Sequence, residues 1–411
     1  MKLETAKNTK IINDPVYGLI NIPEGLIFNI IEHTYFQRLR RIKQLGFTEY
    51  VYPGATHNRF QHAIGAAHLM SSAIESIRTK GPVISEEEKE ASIIAILLHD
   101  IGHGPFSHTL ELNIIDISHE NLSLMFMNKL NDEFNGKLDL AIKIFTNKYK
   151  KKFLHQLVSS QLDVDRLDYL RRDSFYTGVS EGVIGSDRII KMLNVVNDNL
   201  VVEAKGIYSI EKFLIARSLM YWQVYLHKTV ISSEQLLTKI FDRAKYLCAK
   251  GENLFIAPAL KYFLHNDFKQ KPSRNEILNH FSLLDDNDIT TSIKNWINSN
   301  DSILSQLCNN LINRHLYRIE LRNKDFENSI ITDLKKKFLQ QNNIKISEKD
   351  INYFIFKGQI SNKTYSVNND RIKILKKTGE LVDINEASDM LNISALSTKV
   401  TKYFLCYPKF I

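Results

Sequence analysis

Apolar side chains recur at helical spacing over the first three-quarters of this chain. Residues 26–41, 59–77, 87–101, 119–130, 154–172, 209–228 and 233–248 carry them near i, i+3, i+4 and i+7, the pattern of helices with one buried face. Pro and Gly punctuate several of the connections, as in Tyr52-Pro53-Gly54 and Lys80-Gly81-Pro82. One helix is written out most fully. Ser85-Glu86-Glu87-Glu88 reads as a capping box, with Ser85 as N-cap and Glu88 three residues on. Ala91, Ile94, Ala95 and Leu98 then form one buried stripe, and Gly102 and Gly104-Pro105 stop the helix.

The texture changes after residue 312. Leu316 to Leu321 and Tyr353 to Phe356 read as strands, Arg371 to Leu375 alternates charged and apolar residues, and Thr378-Gly379 gives a turn. A small hairpin is expected near Val201-Val202-Glu203-Ala204, followed by Lys205-Gly206. The expectation is therefore a mainly α protein: a helical bundle over residues 1–312 and a smaller C-terminal α+β lobe over 313–411. No internal repeat is visible.

Composition narrows the class. With 411 residues, 44% hydrophobic and 24% charged, the chain has material for a substantial core. Sixteen glycines and eight prolines argue against long flexible linkers. The net charge of +8 favours anionic ligands without choosing among nucleotide phosphates, nucleic acid and anionic lipid. Lys335-Lys336-Lys337 is too short for a nucleic-acid tract and reads as a solvated helix face. Cys248, Cys308 and Cys406 are far apart and lack CxxC spacing, which excludes a disulfide framework or zinc ribbon and fits a reducing cytosol. The start of the chain lacks a signal-peptide core, and the longest apolar stretch, near Ile93 to Leu98, is far shorter than the roughly 20 residues that span a bilayer. A cytoplasmic protein without a membrane span is expected.

Candidate chemistry gathers at the end of the helix that Ser85 opens. His99-Asp100-Ile101-Gly102-His103-Gly104-Pro105-Phe106-Ser107-His108 packs three histidines and a carboxylate into one short run. Asp100 falls in the last helical turn, where the macrodipole disfavours a carboxylate, so something positive should compensate it. An isolated His–Asp pair is ordinarily a packed or surface pair. This one ends an apolar helix and is followed by two more histidines. A metal held by His99 and Asp100 is the simplest compensation, and His62 and Asp165 lie on two further helices as additional ligands. Such a mixed N/O set suits Mn, Mg, Fe, Co, Ni or Zn, one divalent ion per subunit.

Four blocks carry a resemblance. They are Phe36 to Gly46, Pro53 to His62, His99 to His108, and Val164-Asp165-Arg166-Leu167-Asp168-Tyr169-Leu170-Arg171-Arg172-Asp173. In this order they resemble the HD-domain phosphohydrolases. They are most similar to the deoxynucleoside triphosphate triphosphohydrolase (dNTPase) branch, which includes bacterial dGTPase-like enzymes and the vertebrate sterile-alpha-motif/HD-domain enzyme. The likeness spans residues 12–230 most strongly.

The resemblance implies a compact helical bundle in which His62, His99, Asp100 and Asp165 bind one metal. It implies hydrolysis of a dNTP by water attack at the α-phosphorus, giving deoxynucleoside and inorganic triphosphate. His103, His108 and His119 match acid/base and second-shell positions, with His108 as proton donor. Glu111 stands where the family more often has an Asp partner for the catalytic His. Arg59, Arg166 and Arg217 match phosphate contacts. Gln44 and Asp173 match contacts to the 3′ hydroxyl, and Tyr169 and Tyr225 match the sugar wall. A homo-oligomer, dimer or tetramer, is implied, with a dNTP as allosteric activator in some relatives; separately, the mild basicity of the chain leaves nucleic acid open as an effector only. The competing readings are another HD-type phosphohydrolase, such as a nucleotide phosphatase, cyclic-nucleotide phosphodiesterase or guanosine tetraphosphate hydrolase, and a non-catalytic nucleotide sensor.

Overall fold

The structure is a computed structural model describing residues 9–106, 109–111, 117–265, 273–341, 347–366, 370–389 and 396–409. It is mainly helical, with three small sheets among the described residues. At its centre is α1 (Arg59–Arg78), started by a reciprocal capping box. Asn58 accepts from the Gln61 N–H and the Gln61 side chain accepts from Asn58. Residues on every face of α1 are buried, from Phe60 and Ala63 to Met70 and Ile77.

Helix α2 (Glu86–Leu97) opens with the expected Ser85–Glu88 capping box. Helices α3 (His119–Glu133) and α4 (Val164–Thr177) follow. Both α2 and α4 pack against α1. The α1–α4 approach is close enough to require glycine. A Cβ on Gly65 would lie 2.0 Å from Asp168 Oδ1 and 2.1 Å from Arg172 Nη2. Beyond α4 run α5 (Ile207–Met220), one wide π turn at Tyr221–Tyr225, and α6 (Lys228–Ala249).

The boundaries differ from expectation in several places, each for a local reason. Residues 26–41 form Leu26–Glu32, Thr34–Gln37 and a tight turn at Arg38–Arg41, because His33 is extended. Residues 154–172 belong to two helices, Lys152–Val158 and α4, because the Asp163 side chain accepts from the Arg166 N–H at 2.8 Å and starts a new helix. Helix α2 ends at Leu97, before Gly102, so Asp100 lies in the turn that follows. Gly102 serves a different purpose: a Cβ there would sit 2.3 Å from both His119 O and Ser123 N of α3. Its N–H donates to Ser123 Oγ at 2.9 Å, and Ser123 Oγ donates to His99 O at 2.7 Å. The hairpin pairs β3 (Leu193–Val196) with β4 (Asn199–Glu203), preceded in the chain by the antiparallel pair β1 (Thr9–Asp14) and β2 (Gly18–Pro23). It turns at Asn197-Asp198, with φ 50° and 61°, and Lys205-Gly206 follows its second strand.

Past residue 312 come β5 (Arg318–Arg322), β6 (Phe356–Asn362), β7 (Lys373–Leu375), β8 (Leu381–Asp383) and β9 (Val400–Tyr407). Tyr353 to Phe356, expected as a strand, instead follows a tight turn at Asp350–Tyr353, started where Ser347 Oγ accepts from the Asp350 N–H, and reaches β6 only at Phe356. One sheet has the order β5-β9-β6, all antiparallel. The other is β3-β4-β7-β8, in which β4 pairs in parallel with β7, so C-terminal strands extend the hairpin. No described helix is long and apolar enough to cross a membrane.

Candidate active site

Three helices bring the expected ligands together: α1 supplies His62, the turn after α2 supplies His99 and Asp100, and the first turn of α4 supplies Asp165. His62, His99 and Asp100 each offer a ligand atom, all within 4.8 Å of one another. Asp165 Oδ1 lies 3.1 Å from His62 Nε2 and 3.3 Å from His99 Nε2. Asp165 also sits at a helix N-terminus, where a carboxylate is favoured.

The outer nitrogens are already committed. His62 Nδ1 pairs with Asp168 Oδ2 at 2.7 Å, and His99 Nδ1 with the Ile96 carbonyl at 2.6 Å. Both Nε2 atoms are buried without a hydrogen bond among the described residues. This is how metal-ligating histidines are held, with the outer N–H fixed and the inner lone pair free. Electrostatics agree. Burial pushes the His62 imidazole down, yet Asp165 and Asp168 outweigh it and lift it to about 10. The pocket therefore calls for positive charge at these atoms, and two carboxylates with two imidazoles fit one divalent ion.

Asp100 has the positive compensation its position demands. Arg59 Nη1 donates to Asp100 Oδ2 at 2.6 Å, and His99 and His103 Nε2 each lie 3.3 Å from Oδ1. Burial works against the charged form, but His99, His103 and Arg59 outweigh it and hold the carboxyl well below the usual range. Burial and the Arg59 charge push the His103 imidazole well below its usual range. Its ring stacks on His119, with centroids 4.0 Å apart. Glu111 pairs with His119, Oε1 to Nδ1, at 3.0 Å. His108 lies outside the described residues.

The turn carrying these groups is clamped from beneath by a buried cation. Arg38 donates to the Ile101 carbonyl at 3.2 Å, the His103 carbonyl at 2.7 Å and the Leu284 carbonyl at 2.9 Å. Burial lowers its pKa to about 9, so it stays charged.

A cleft of about 530 Å³ opens over this cluster, within the range of small-molecule sites. Asp100, Asp165, Arg59, Arg166, His103 and His119 line one part of it; Gln44, Tyr169, Asp173 and Tyr225 line another. Asp173 is held on both oxygens, by His57 Nε2 at 2.7 Å and by the Tyr225 hydroxyl at 2.7 Å. The π turn is what brings both Tyr221 and Tyr225 to the cleft wall. Arg217 is not among the lining residues. Its guanidinium sits 6.0 Å from the Tyr221 ring centroid, with Nε and Nη1 buried and unbonded among the described residues.

Several functional positions carry no clear signal of their own in the sequence. Arg38 and His57 lie inside the resembling blocks without an assigned role. Asp168 stands three residues after Asp165, hence on the same helix face. Glu234 of α6 lines the cleft and falls outside every block.

Comparison with known proteins agrees with this geometry. The HD domain model matches residues 59–173, and the HD-associated region model matches residues 184–254. The uncharacterized protein YwfO of Bacillus subtilis is 33% identical, over 97% of this chain and 92% of that one. The crystal structure of a phosphohydrolase from Bacteroides thetaiotaomicron is 53% identical, with a TM-score of 0.93, over 97% of this chain and 100% of that one. The chain belongs to the HD-domain family of phosphohydrolases. The Dictyostelium discoideum homolog of the deoxynucleoside triphosphate triphosphohydrolase SAMHD1 is 33% identical over 58% of this chain, which spans about half of that relative's length, 50%.

Proposed function

We propose that this protein hydrolyses deoxynucleoside triphosphates to deoxynucleoside and inorganic triphosphate, by attack of water on the α-phosphorus. The observation that carries the reading is the cleft itself. One continuous surface joins a metal-ligand cluster and cations to a group suited to a sugar hydroxyl. The Dictyostelium relative, named for this activity, supports it.

The residues divide the work. Arg59 and Arg166 line the cleft and each leave a buried guanidinium N–H without a partner among the described residues, and an anionic phosphate oxygen satisfies such donors; Arg217, also with unbonded N–H groups, stands behind Tyr221 off the cleft wall. Asp173, fixed by His57 and Tyr225, has lone pairs left to accept a 3′ hydroxyl, and Gln44, whose Oε1 is buried and unbonded among the described residues, lines the same cleft. Tyr169 and Tyr225 wall the sugar, and a ring against C2′ excludes ribose sterically. A divalent ion held by His62, His99, Asp100 and Asp165 supplies charge neutralisation for the phosphate and a more acidic water.

The bond broken is that between the α-phosphorus and O5′, and O5′ leaves with a proton. His103 lines the cleft wall and can relay a proton toward O5′. His108 is the proposed donor, and the His119–Glu111 pair stands near the phosphates. The test is product analysis with each dNTP, singly and mixed, with Mn or Mg, beside an Asp100→Ala control. Triphosphate released by the wild type and lost in the control supports the reading. Turnover only in mixtures adds activation by a second nucleotide. No triphosphate under any condition rejects it.

A further inference from the structure

Among the described residues, Glu234 is the one acidic group on the cleft wall that neither the metal cluster nor the sugar group uses. It stands on α6 one turn past Val230, and both side chains line the cleft with Leu45, Phe47 and Leu226. Its carboxylate makes no hydrogen bond or ion pair among the described residues. Burial alone pushes the carboxyl up to about 7. A half-buried, unpaired carboxylate against apolar walls costs free energy that folding does not recover. Such a group fits a ligand that brings its own N–H donors.

Its place in the chain says which part of a ligand it meets. Tyr225 touches Asp173, at the sugar end of the cleft. The chain leaves that contact through Leu226 and the extended His227 into α6, on which Val230 and, about 6 Å further along the axis, Glu234 reach the cleft wall. A nucleotide whose phosphates lie at the metal cluster and whose sugar lies at Asp173 extends its base toward this end.

We propose that Glu234 reads the nucleobase and that guanine is the base it selects. The inference rests on the nucleotide reading above. Two ligand N–H donors favour the ionised form of the carboxyl, and a carboxylate offers two acceptors and no donor. Guanine presents two adjacent donors, N1–H and the 2-amino group, matching both oxygens. Adenine and cytosine each place an acceptor ring nitrogen beside their amino group. Thymine has one N–H between two carbonyls. Each of these sets a lone pair against a carboxylate oxygen, and a site built for hydrogen bonds rejects a partner that leaves them unmade.

The test is equilibrium binding of the four 2′-deoxynucleosides to the metal-loaded protein, which needs no turnover. Wild type should bind deoxyguanosine at least ~10-fold more tightly than the others. Glu234→Gln turns one acceptor into a donor. It should lose that preference and gain affinity for deoxyadenosine, whose amino group and N1 complement an amide. Glu234→Ala should lose the preference without the adenine gain. Equal binding of all four bases by wild type, no binding of any, or guanine preference intact in Glu234→Gln overturns the proposal. Triphosphate release is scored separately. Guanine preference without hydrolysis would reject the catalytic reading and keep Glu234. Hydrolysis without guanine preference would do the reverse.

Discussion

His62 Nδ1 and Asp168 Oδ2 lie 2.7 Å apart with both side chains fully buried. This contact fixes the His62 tautomer so that Nε2 faces Asp100 and Asp165. Asp168 is fixed in turn by Arg172, whose Nε and Nη2 reach its two oxygens at 2.9 and 3.0 Å, and Arg172 Nη1 reaches Asp14 of β1 at 2.8 Å. The metal-ligand cluster is therefore tied through one buried network to the first hairpin. Asp168→Asn should weaken metal binding by about 10–100-fold. Calorimetric metal titration of the folded variant checks this, and unchanged affinity would show that Asp168 does not orient the ligand.

Gly65 is where α1 and α4 come close enough for that bond. Gly65→Ala drives a methyl into Asp168 and Arg172. Both are buried and bonded, so neither moves cheaply. The variant should lose about 1–3 kcal/mol of stability and bind metal more weakly. Urea unfolding with and without metal measures both, and wild-type values in each would contradict the packing described.

Tyr225→Phe removes one of the two donors that fix Asp173. A hydrogen bond to a charged group contributes about 1.5–3 kcal/mol, so kcat/KM for a dNTP should fall roughly 10–100-fold. Metal content should stay at the wild-type level because Tyr225 touches none of the ligands. A variant with full kcat/KM would remove Asp173 and Tyr225 from sugar recognition.

Asp286 makes stability depend on pH. Its Oδ2 accepts the Lys43 N–H at 2.9 Å, Oδ1 is buried and unbonded among the described residues, and burial lifts the carboxyl to about 6. The unfolded chain titrates near 3.9. Between these values the folded state binds the extra proton, so this group lowers stability as pH rises through about 4 to 6. Asp286→Asn keeps an acceptor for Lys43 and removes the titration. It should exceed wild type by about 1–3 kcal/mol at pH 7.5, with the gap closing toward pH 4. A pH-independent difference in urea midpoints would refute the assignment.

Local rules made the helices legible and left their long-range anchors hidden. The Ser85–Glu88 box is written in adjacent residues and forms as expected. The four metal-ligand candidates came from blocks in order, and the structure brings them to one point. The first strand and turn of the hairpin near Val201 went unread because Asn197-Asp198, two non-glycine residues at positive φ, carries a weak turn signal. Arg38 could not be read. Its partners lie 63 to 246 residues away and are backbone carbonyls, which no side-chain pattern marks. The parallel pairing of β4 with β7 is equally non-local. Glu234 looks like any polar residue on an amphipathic helix until the cleft is seen.

The central claim is best tested by turning over a dNTP in ¹⁸O-water with the metal-loaded protein and resolving the products by mass spectrometry. Attack at the α-phosphorus predicts unlabelled deoxynucleoside and one ¹⁸O in the triphosphate. Deoxynucleoside monophosphate with pyrophosphate, or label in the 5′ hydroxyl of the deoxynucleoside, would contradict it.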